Sequence, residues 1–228
     1  GIDVQETCIY WVIRAWGEHW TSQLIARGQE TNLWNADNIM NLYYEKKNGE
    51  KLTPSLVLVD SGDQTDMVYD FCADTMDYTL PCKGSSKRLE TDYKYSVINK
   101  AGSKAAGINL VIVDTGKYKD RIASRMRRNN GTGSWMVFHG IDEEYANQVT
   151  AEHKINERQA NGAVTQKWVP KTTHTDNHYL DAEVYAMAAA DIRGARIWHQ
   201  ERYVPPKKKP TEIPKEEQWI RDNELEGW

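Results

Sequence analysis

The sequence predicts an α/β domain: a mixed sheet, three antiparallel strands followed by parallel ones, flanked by helices. Three observations predict it. β-rich segments follow one another through residues 1 to 29, a short uninterrupted apolar run ends at Asp60, and strand-like and helix-like segments alternate after it.

Ile2 and Val4 alternate with Asp3 and Gln5, Thr7 to Ile13 is rich in β-branched and aromatic residues, and Trp20 to Ile25 gives a third candidate strand. Asn35 or Asp37 is placed to cap a helix running to Lys47, closed by Asn48-Gly49. Ser55 to Asp60 reads as a strand buried on both faces, because it carries no alternating polar positions. Asp66 to Cys72 reads as a helix and Tyr78 to Cys82 as a strand. Residues 84 to 107, rich in Gly, Ser and Lys, read as a long loop or exposed hairpin. Ile108 to Val113 is a strand and Tyr118 to Met126 a basic helix. Glu143 to Gln159 and Asp181 to Ile197 read as helices, with a strand near Thr165 to Val169 between them. This gives one domain over 1–203. Four prolines and Lys207 to Lys209 then mark 204–228 as a linker and tail.

The chain has 228 residues, enough for one sizeable core. No apolar run approaches the ~18 residues of a membrane span, so no membrane association is expected. Cys8, Cys72 and Cys82 are an odd number without zinc spacing, which suits a reducing compartment. The net charge of −4 conceals clusters of both signs, and those clusters carry the functional signal.

Position selects among the 33 acidic residues. Asp60 closes a buried strand, at the end where open α/β sheets put their sites. Asp3 faces away from Ile2 and Val4, and a charge at the centre of a sheet costs several kcal/mol unless a cation offsets it. Asp181 falls in the first turn of an apolar helix. Glu183 points about 200° round from it and is expected in solvent. Each carboxylate alone is more readily a cap or a solvated turn residue. Two strands and a late helix converging with all three is more specific: that is how two-metal nucleases hold divalent ions about 4 Å apart. Oxygen-only ligands favour Mg2+ or Mn2+.

Asp114, also at a strand end, rivals Asp181 but reads better as a helix cap or a group behind the ligands. Lys117 or Lys83 near the metals would offset charge developing on a phosphate. Lys119, Arg121, Arg125, Arg127 and Arg128, with Lys83, Lys87 and Arg88, are either a solvated face or the lining of a DNA groove, and the carboxylates favour the groove. His174 and His178 are a surface pair rather than a zinc site, with His178 at the rim of the carboxylates. Trp11, Trp16 and Trp20 read as strand packing.

Gly1-Ile2-Asp3-Val4-Gln5 followed by Arg14 to Glu18 resembles the opening of the nuclease domain in lambda-type bacteriophage terminase large subunits. Val59-Asp60-Ser61-Gly62 with Thr65, Leu80 to Gly84, Asp114 to Lys117, Gln148 to Glu152, Trp168, and Asn177 to Asp181 with Val184 to Ala189 continue in the family's order. The resemblance covers about residues 1 to 190. It implies a ribonuclease H-like fold with Asp3, Asp60 and Asp181 as catalytic metal ligands for two ions. It implies cutting of concatemeric double-stranded viral DNA in the host cytoplasm during packaging. The implied partners are an ATPase domain, the small terminase subunit and the portal. Where the family usually has Asn-Glu, this chain has Asn177-His178. No G-x-x-x-x-G-K-[ST] loop occurs, so the chain resembles an excised C-terminal half that cuts without pumping. Another ribonuclease H-like phosphoryl transferase, a resolvase or transposase, and a non-catalytic DNA- or portal-docking module are the alternatives.

Overall fold

The computed structural model describes residues 1–158, 160–173 and 175–198. The proposed tail over 204–228 and His174 lie outside the described residues.

The N-terminal strand β1 (Ile2–Val4) pairs antiparallel with β2 (Ile9–Trp16), and β2 with β3 (Ser22–Glu30), with a register shift between Ile13 and Arg14. Helix α1 (Leu33–Met40) follows, its first turn satisfied by the Asn32 side chain accepting from the Asn35 amide. The sequence places this start later and the end at Lys47. In the structure the chain leaves the helix at Asn41 and forms a small ribbon, β4 (Tyr44–Glu45) with β5 (Lys51–Leu52). Strand β6 (Val57–Asp60) lies parallel to β1. After α2 (Thr65–Asp74), β7 (Thr79–Gly84) pairs parallel with β6. The segment expected as a long loop or exposed hairpin holds β8 (Tyr93–Val97), an edge strand antiparallel to β9 (Asn109–Val113). Helix α3 (Thr115–Met126) and the short β10 (Trp135–Met136) come next, the latter parallel to β3.

Residues 143 to 159, expected as one helix, divide. Helix α4 (Glu143–Val149), capped by Asp142, stops at Thr150, and β11 (Glu152–Arg158) runs antiparallel to β12 (Val164–Pro170). Thr150 closes the helix, its hydroxyl donating to the Ala146 carbonyl, and from Glu152 the backbone bonds to β12 instead of continuing the turn. Helix α5 (His178–Ile192) begins three residues before the expected start and ends five before the expected finish.

The eight-stranded sheet has the order β10-β3-β2-β1-β6-β7-β9-β8. Together with the flanking helices this is a ribonuclease H-like arrangement. Alternation along the strands assigns each residue a face. Ile2, Val4, Val57 and Val59 pack on one side against Leu33 and Met40 of α1 and Val68 and Phe71 of α2. Leu58, Cys82, Val111 and Val113 pack on the other against Tyr118 and Ile122 of α3 and Val184 and Met187 of α5. Tyr10, Val12 and Leu24 extend that second face under α4. Helix α5 therefore sits between sheet, α3 and α4, with Tyr179 and Leu180 and every residue from Ala182 to Asp191 buried. It also approaches the sheet closely: a Cβ on Gly1 would stand 1.9 Å from the Ala182 carbonyl oxygen and 2.5 Å from the Ala186 nitrogen. No described helix is long and apolar enough to cross a membrane.

Candidate active site

Asp3 alternates with Ile2 and Val4, so it points to the α5 side of the sheet, as does Asp60 two residues after Leu58. The parallel register that sets Ile2 beside Val59 makes the two carboxylates neighbours on adjacent strands. The first turn of α5 brings Asp181 over them. The helix N-terminus there carries partial positive charge, which suits an acidic residue.

The carboxylates feel one another. Burial, then the charge of Asp3, pushes Asp60 up to about 6, against opposing hydrogen bonds from the Gly62 amide and Tyr185. Burial also raises Asp181, with Asp3 adding to it and Lys119 working against it. Asp3, 3% exposed, accepts from Gln5 Nε2 at 2.7 Å and faces His178 Nδ1 at 2.9 Å. The hydrogen bond to Asp3 raises the His178 pKa, and the imidazole stacks on Tyr10 at 4.6 Å.

Two residues join this group in ways the sequence did not indicate. Lys119, grouped above with the DNA-contacting cations, is buried, and its Nζ lies 2.9 Å from Asp181 Oδ1 and 2.7 Å from Glu152 Oε1. Burial works against its charge, but Asp181 and Glu152 outweigh that and hold its pKa above the ordinary value. Glu152 is the second surprise. Its signal is hidden inside an apparent helix, yet it begins β11 and shares the Asn177 amide with Asp181, at 2.7 and 2.9 Å.

Glu183 corrects the sequence reading outright. It is fully buried and bonded to Arg14 rather than solvated. The 200° rotation from Asp181 is right, but α4, β2 and β10 cover that far side of the helix.

The other expected site residues take varied places. Asp114 caps α3, accepting from the Lys117 amide at 3.1 Å and from the Leu89 amide at 2.9 Å. The Lys117 ammonium donates to the carbonyls of Leu89, Glu90 and Thr91, which ties down the loop before β8. Arg121 pairs with Asp92, and Arg125 lies over the Trp20 ring. Lys83 is half-buried on β7, while Lys87, Arg88, Arg127 and Arg128 are exposed.

Among the described residues, no three His, Cys, Asp or Glu side chains already stand in ligating geometry. The pairing explains this. Asp3 is drawn to His178 and Gln5, Asp60 to the Gly62 amide, and Asp181 with Glu152 to Lys119, so each acid leans toward its own partner. The donor set nonetheless suits a hard divalent cation: four carboxylates, oxygen only, with an ammonium already lodged between two of them.

The family model described as terminase large subunit gpA, endonuclease domain, matches residues 1–202. Neither the curated proteins nor the solved structures contain a match.

Proposed function

From membership in the family of terminase large subunit gpA endonuclease domains, to which this chain belongs, we propose that it cuts concatemeric double-stranded viral DNA with two divalent ions, magnesium or manganese. One observation carries the proposal: Asp3 and Asp60 stand on adjacent parallel strands beneath Asp181 at the start of α5, and burial and mutual charge raise both Asp60 and Asp181. Such perturbed carboxylates cluster at catalytic sites. Asp3, Asp60 and Asp181 would hold the ions. When bound, ions of this kind make water a nucleophile near neutral pH and offset charge on the leaving oxygen.

The chain's own residues prepare the site. His178 orients Asp3, Asn177 spans Asp181 and Glu152, and the Lys119 ammonium bridges those two acids. Exposed Lys and Arg side chains read phosphates rather than base edges, so cutting with little sequence preference is the expectation. In the full subunit the domain would work beside an ATPase domain, the small terminase subunit and the portal, in the host cytoplasm.

Supercoiled plasmid incubated with the protein and Mg2+, Mn2+ or chelator tests this. Nicked and linear products with metal, and none with chelator, are expected. Intact plasmid with both metals at micromolar protein overturns the proposal.

A further inference from the structure

The β11–β12 ribbon has no core face: nearly every residue from His153 to Thr165 that the structure describes is exposed. Two strands alone are marginally stable in water, so what fastens them matters. The fastening is at one end. Asp120 of α3 accepts from the Trp168 indole at 2.9 Å and pairs with Lys154 at 2.6 Å, while Lys119 and Asn177 hold Glu152. Beyond that foot, strands rising ~3.4 Å per residue carry the ribbon on the order of 15–20 Å away from the carboxylates.

Alternation puts Lys154, Asn156 and Arg158 on one face, opposite Trp168, Gln166 and Val164. The inner part of that face forms a wall of a cleft of about 300 Å³. The loop from Ser85 to Arg88 forms the facing wall, the first turn of α3 the floor, and Glu152 with Lys119 joins the cleft to the carboxylates. Its acids are engaged: Asp114 by backbone amides, Asp120 by Lys154 and Trp168, Glu152 by Lys119. Its exposed cations are not. Lys87 and Arg88 on one wall and Arg158 farther out on the ribbon face make no salt bridge among the described residues.

We propose that the ribbon is an arm that holds double-stranded DNA by its phosphates, with the duplex running between the arm and the Lys87–Arg88 loop toward the carboxylates. This rests on the nuclease reading of the site. The argument is charge complementarity combined with continuity: both walls present exposed cations, and the cleft between them leads to the acids. A two-stranded ribbon also has the dimensions to lie along a groove of the duplex.

The test is Arg158→Ala in the full 228-residue chain. Fluorescence anisotropy reads binding to a short labelled duplex in chelator, over a series of salt concentrations. Each lost phosphate contact lowers the slope of log affinity against log salt by about 0.9, so a fall of roughly one and a several-fold loss of affinity are expected. The melting temperature should not move. Lys47→Ala with Lys51→Ala, exposed cations at the β4–β5 ribbon, should leave the slope unchanged. An unchanged slope in the ribbon variant, or an equal fall in the Lys47/Lys51 variant, overturns the arm. Because binding is read without metal, the two readings fail separately. Plasmid left intact by the unaltered chain removes the nuclease reading whatever the slope does. Plasmid cut normally, with an unchanged ribbon slope, removes the arm alone.

Discussion

Arg14 and Glu183, 169 residues apart, meet in a two-pronged ion pair: Nε to Oε2 at 2.8 Å and Nη2 to Oε1 at 2.7 Å, both side chains fully buried. The remaining guanidinium proton sites reach Ser22 Oγ at 3.2 Å and the Met136 carbonyl at 3.0 Å, the Tyr145 hydroxyl donates to Glu183, and the guanidinium stacks 3.6 Å from the Trp135 ring. The pair thus fastens β2 and β10 to α5 and α4, two residues past Asp181.

Removing one half leaves the other charged and unpaired in the core. Glu183→Ala should cost about 3–5 kcal/mol of stability, whereas replacing both partners by Met should recover most of that loss. Urea unfolding of the single and double variants measures it. A single variant within about 0.5 kcal/mol of the original would show that the pair does not hold the helix.

A second expectation concerns Asp60. Its pKa stands at about 6 in the folded chain against an ordinary 3.8. A carboxyl raised by folding binds its proton more tightly in the folded state. The protein therefore loses stability as pH rises from about 4 to about 6, and the loss stays in place above that. Asp60→Asn removes the penalty. In chelator at pH 7.5 the variant should be more stable by on the order of 1–3 kcal/mol, and near pH 4 the difference should vanish. Equal melting curves at pH 7.5 would mean that burial and the charge of Asp3 do not penalise the ionised Asp60.

Lys119 is the third case. Lys119→Met leaves Glu152 and Asp181 facing each other without their shared cation, so in chelator the melting temperature should fall by several degrees. Manganese should restore more of it in the variant than in the original chain, because a divalent ion no longer competes with a tethered ammonium. Calorimetric titration with Mn2+ should show affinity several-fold tighter. Weaker binding would mean that the ammonium assists the ions instead of opposing them.

The thiols give a simple count. Burial pushes Cys72 up to about 12 and raises Cys82 well above the ordinary thiol value, while Cys8 is partly exposed. A thiol-reactive chromophore should label one cysteine in the folded chain and three in denaturant. Rapid labelling of all three under native conditions would mean that the β6–β7 core opens readily.

The strands that carry the first two acids were legible because their patterns are local. Val57, Leu58 and Val59 form an unbroken apolar run, and Asp3 stands out between Ile2 and Val4. Asp181 was legible through the apolar helix it begins. Three features were not. Glu183 obeys the helical wheel, yet α5 is enclosed on every side, and enclosure is decided by α4 and β10 rather than by the helix's own residues. Glu152 lies in a stretch whose composition favours a helix, so its place at the foot of a ribbon depends on a tertiary anchor, Asp120. Lys119 sits among five other basic residues between 117 and 128, and only the packing of α3 beside α5 turns it inward.

Because α5 is the last long element described, the order in which the chain leaves the ribosome has a bearing on when the acids can meet. Asp3 and its partner His178 are 175 residues apart. At roughly 5–20 residues per second, Asp3 waits on the order of ten to thirty-five seconds, and Asp60 about six to twenty-four, before Asp181 is made. Until then the α5 side of the sheet lacks its covering helix and the acid set lacks a member. A half-made chain has no complete site with which to cut the nucleic acid around it.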